Sequence, residues 1–175
     1  MSYFAGVLTR SGHAWDAEEA DLDGCESLAD LGDVLRDSPG EVRLLVIEQD
    51  DEYAAIVRLD DDADEPRAFL TDGHAADAYP MAALVAEELA EIGADGSDDD
   101  AADDEDEDGE PLIDADALPV HDSAPFGDPD LVEDLGTSAS DLLAMCAHPG
   151  TLPVDVLVAV CEKAGCGDAF ENLRA

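Results

Sequence analysis

The chain has 175 residues, with 47 Asp or Glu against 7 Lys or Arg, a net charge of -40. Such an excess repels polyanions and anionic membrane surfaces, and without a basic cluster to neutralise phosphates it argues against direct DNA or RNA binding. Apolar residues make up 46% and aromatics only 5%, so there is material for a core but few large hydrophobic anchors.

In chain order, Tyr3 to Arg10 alternates as a strand and Ser11-Gly12 turns it. A second strand over Ala14 to Asp21 pairs back as a hairpin, with Asp16 and Glu18 on a wet face. The period then changes. Ser27 caps a helix whose Leu28, Leu31, Val34 and Leu35 share one face, and Asp37-Ser38-Pro39-Gly40 stops it. Val42 to Ile47 is near-continuously apolar, the mark of a central strand. The chain turns at Gln49 to Glu52, runs back over Tyr53 to Leu59, and after an acidic loop gives a fifth strand at Arg67 to Thr71. Helix follows from about Ala75 to Ile92, broken into two pieces at Pro80.

The order ββαβββα with hairpin connections requires an antiparallel sheet, and helices on one of its faces make an α+β sandwich. That order resembles the profilin-like, longin-like and roadblock-like group of five-stranded adaptor folds. Residues 1–93 are therefore expected to form an α+β sheet domain. Residues 94–125 follow as a disordered acidic linker, because Asp95 to Glu110 carries eleven acids and no base and cannot bury enough apolar surface to fold. Residues 126–175 read as a small helical domain. Asp128-Pro129 opens a first helix that Gly136 ends, Ser138 caps a second, Thr151 caps a third that Gly165 ends, and Asp168 to Arg174 forms a last. A cluster this small is marginal alone, so it is expected to pack on the sheet domain.

No catalytic, cofactor-binding or metal site emerges. A zinc deaminase needs H-x-E and P-C-x-x-C, yet His13, His74, His121 and His148 lack a glutamate two residues on, and no cysteine pair has the spacing. Cys146, His148, Cys161 and Cys166 are the right residue types for zinc, but their spacings match no familiar module. Asp104 to Gly109 matches the first half of a calcium loop, but Ala115 stands where the closing glutamate belongs. Nucleotide-binding glycine motifs and G-x-S-x-G are absent. Trp15 reads as a packing residue of the sheet face. The four cysteines suit reduced, buried thiols, and no signal peptide or membrane span is visible, so a cytoplasmic location is expected.

Three stretches of the first half, Ser2 to Leu8, Leu44 to Arg58 and Arg67 to Asp72, together with Gly127 to Gly136 and Leu152 to Asp155 in the tail, resemble the bacterial tRNA adenosine deaminase-associated protein family. The resemblance covers both ends of the chain and skips the acidic middle. It implies genetic association with the enzyme that makes inosine at the tRNA wobble position, and carries over no active-site residue. The expected function is thus that of a non-catalytic accessory or adaptor protein, not an enzyme, with the deaminase as the simplest protein partner. The alternatives are an acidic nucleic-acid mimic that regulates a tRNA-binding enzyme, and a small-ligand or cation-binding module. The acidity itself fits either a binding surface or a salt-rich cytoplasm. Oligomeric state is not legible.

Overall fold

A computed structural model of the protein describes residues 3–94 and 125–175. The expected linker, with the half calcium loop and His121, lies outside the described residues apart from its end positions. Strands β1 (Tyr3–Ser11), β2 (Ala14–Glu19), β3 (Val42–Gln49), β4 (Tyr53–Asp60), β5 (Arg67–Leu70) and β6 (Phe126–Gly127) build one antiparallel sheet in the order β2-β1-β3-β4-β5-β6. Helix α1 (Leu28–Asp37), a 3-10 helix at Gly73–Asp77 and α2 (Pro80–Ala94) belong to the first part of the chain. A second 3-10 helix at Pro129–Leu135 precedes α3 (Ala139–Ala147), α4 (Pro153–Ala164) and α5 (Gly167–Arg174).

Strand alternation divides the apolar residues between two cores. Ala5 and Val7 of β1, Leu45 and Ile47 of β3, and Tyr53, Ala55, Val57 and Leu59 of β4 face α1 and α2. Leu8, Leu44, Val46, Ala54, Ile56 and Phe69 face the other way, onto Leu131, Leu142, Leu157, Val160 and Phe170 of the tail. The continuous apolar runs of β3 and β4 therefore exist because both faces are covered. The expectation of helices on one face is corrected: helices cover both, and the tail shares a core with the sheet.

The strand count is also corrected, from five to six. β6 is too short to show a period of two, and its pairing is made by backbone fit. Gly127 lies at φ 108, and a Cβ there would meet Ala68 O at 2.5 Å and Leu89 Cδ1 at 2.9 Å. Only glycine lets the chain pass between β5 and α2.

Most local signals act as read. Ser27 accepts from Asp30 N–H at the start of α1, and Ser138 accepts from Asp141 N–H at the start of α3. Pro80 opens α2 after the separate 3-10 turn. Several boundaries move by a residue or two. β2 ends at Glu19 rather than Asp21, after which Ala20 makes one more bond to Ala5 O at 3.0 Å. Thr151 does not cap α4: its hydroxyl lies 3.3 Å from His148 Nδ1, and the helix starts after Leu152, whose N–H donates to Asp155 at 3.1 Å.

Candidate interaction surface

The seven basic side chains are all engaged within the fold. Arg58, only 6% exposed on β4, donates to Asp60 at 2.9 Å, to Leu131 O at 2.5 Å and to both carboxylate oxygens of Asp134. Arg43 donates to Ser38 O at 2.7 Å and to Asp61 at 3.1 Å. Arg36 pairs with Asp33, Arg67 with Asp128 and Lys163 with Asp141. Arg10 stacks over Trp15 at 5.8 Å, and Arg174 lies over Phe4 at 5.7 Å and Phe170 at 5.8 Å. Arg36, Arg67, Lys163 and Arg174 are exposed, but each lies against the chain's own acids or rings, so the described bases form no free basic cluster. With 47 acids and 7 bases, most acids are left without a counter-charge.

Arg58 joins the sheet to the tail. Its guanidinium bonds hold the Asp134 carboxyl below the usual carboxylate range, despite the partial burial that opposes this. Trp15 reinforces the same seam by donating from Nε1 to Ala164 O at 3.2 Å. It is half-buried against the tail core, the packing role expected of it.

An open cleft of about 640 Å³ lies where β1 begins and β2 ends. Tyr3, Phe4, Ala5 and Ala20 supply apolar surface, and Glu19, Asp21, Asp23 and Glu48 supply carboxylates. Register explains the gathering: Phe4 sits opposite Glu48 across β1 and β3, while Glu19 sits opposite Gly6 across β1 and β2. Aromatic carbon beside several carboxylates suits a guanidinium or ammonium group. These residues come from three segments of the chain, so no contiguous motif marked them. Only the acidic alternation of β2 was visible beforehand.

The residues weighed for zinc separate. Cys161 and Cys166 are buried beside each other at the end of α4, where Cys166 N–H donates to Cys161 O at 2.8 Å. The Cys161 thiol is pushed up, first by its bond to Cys166 and then by burial. Cys146 is partly buried, which pushes its thiol up to about 11. His148 is exposed beyond α3 and bonded to Thr151. Among the described residues no three His, Cys, Asp or Glu side chains are placed to hold a metal ion. Among them, too, no helix is long and apolar enough to cross a membrane.

Residues 3–167 fit the family described as Rv3753c-like tRNA adenosine deaminase-associated protein, and the chain belongs to that family. No curated protein and no solved structure matches it.

Proposed function

We propose that this member of the deaminase-associated family is a non-catalytic accessory protein of the cytoplasm that works by binding a protein with a basic surface, in the simplest case the tRNA adenosine deaminase itself. The observation that carries the reading is the engagement of all seven bases inside a chain of net charge -40. A tRNA-modifying enzyme needs a basic surface to hold its substrate. A surface on which acids far outnumber bases is drawn to it and steers the encounter. Charge alone discriminates poorly, so apolar contact must accompany it, and the cleft where β1 begins and β2 ends offers both. In this reading residues 94–125 are an acidic linker between the sheet and the tail helices, and the protein stays off RNA.

Sedimentation of the full chain with the matching deaminase, and separately with tRNA, tests the proposal. The chain is expected to travel with the enzyme and not with the RNA, and to leave tRNA adenosines unchanged when alone. Co-sedimentation with tRNA, or deamination by the chain itself, contradicts it.

A further inference from the structure

β2 is the terminal strand of the sheet, and among the described residues nothing pairs with its outer edge. The hairpin fixes which backbone groups face outward. Ser11 and Ala14 pair across a two-residue turn, and antiparallel partners alternate between exchanging hydrogen bonds and not doing so. Ala14, Asp16 and Glu18 thus bond inward, towards Ser11, Thr9 and Val7. The 3.0 Å bond from Ala20 N–H to Ala5 O continues the same inward set. The donors and acceptors of Trp15, Ala17 and Glu19 are left pointing away from the sheet.

An open edge of this kind accepts another extended chain. Its chemistry restricts which one. Asp16, Glu18 and Glu19 are exposed, and β2 contains no basic residue. A second copy of β2 laid against the first would set acids against acids. A strand carrying arginine or lysine would complete the backbone pairing and meet the opposite charge, and the acidic cleft extends that charge beyond Glu19.

We propose that the outer edge of β2 is the docking site for a basic extended segment of the partner, which adds to the sheet as a further strand. The inference rests on the protein-binding role proposed above and gives it a place and a geometry.

Amide hydrogen exchange on the full chain tests it, with two probes: the matching deaminase, and a synthetic ten-residue peptide of alternating arginine and threonine. Both are expected to slow exchange at Trp15, Ala17 and Glu19. Ala17→Pro removes an outward N–H and no bond of the sheet's own ladder, so it is expected to keep the melting curve near that of the parent while weakening both complexes by about tenfold or more. Asp16→Lys, at an exposed position, is expected to weaken both most at low salt. Binding of the deaminase with unchanged exchange at those amides and full affinity in Ala17→Pro overturns the edge site and leaves the adaptor reading standing. Protection by the peptide with no binding of the deaminase supports the edge and removes the deaminase as partner. Binding of neither probe overturns both. Self-association abolished by Ala17→Pro identifies a second copy as the occupant and also overturns the proposal.

Discussion

Arg58 shows how one side chain organises two parts of the protein. It follows the apolar run of β4, and its guanidinium bridges Asp60 on the same strand with Leu131 and Asp134 of the tail. Removing it leaves carboxylates and a carbonyl without their donor next to a shared core. Arg58→Ala is expected to destabilise the protein by about 3 kcal/mol in urea unfolding. Arg58→Lys is expected to recover little, since an ammonium cannot bond in the same forked geometry. The pH dependence follows from Asp134, whose folded pKa is depressed. Its contribution is complete above the unfolded carboxylate value of about 4 and is lost as pH falls through the lower folded value. Acid titration of Asp134→Asn, followed by circular dichroism, is expected to give a shallower loss of stability below about pH 4 than the parent shows. A lone arginine within Tyr53 to Leu59 was visible in the sequence. Its tail partners, Leu131 and Asp134, more than seventy residues away across the acidic stretch, were not.

At the scale of elements, close approach decides which residues are tolerated. The tail helix α5 lies so near β1 that a Cβ on Gly6 would stand 2.2 Å from Leu173 Cδ2. Gly6→Val is expected to push α5 from the sheet and cost about 1–3 kcal/mol, while Leu173→Ala in the same chain recovers part of the loss. Thermal melts of the two single variants and the double variant measure this. Patterns spanning several residues were readable in advance: the apolar runs of β3 and β4, the serine caps of α1 and α3, and the break at Pro80. Signals resting on one or two residues were not. β6 is set by the clearance around Gly127, and the start of α4 by Asp155 reaching back to Leu152, where Thr151 looked the better cap. The second helical layer was anticipated as a cluster packing on the sheet domain, but not as the cover of its second face. The doubly apolar strands already required it.

For the whole molecule, charge is the governing quantity. Repulsion among the unpaired acids opposes the compact state, and salt screens it. The melting temperature is expected to rise steadily with added sodium chloride, and a fall would mean that the internal ion pairs outweigh the repulsion. Net charge was legible from composition alone. That every base is engaged within the fold was not, because pairing such as Arg67 with Asp128 or stacking such as Arg174 on Phe4 depends on elements distant in sequence. The cleft was hidden for the same reason. The central claim, an acidic surface directed at a basic protein, is tested most directly by titrating the full chain into the matching tRNA adenosine deaminase by calorimetry over a salt series. Saturable binding that weakens as salt rises but persists at about 0.5 M, where charge is strongly screened, is the expected result. No heat of binding at any salt concentration would contradict it.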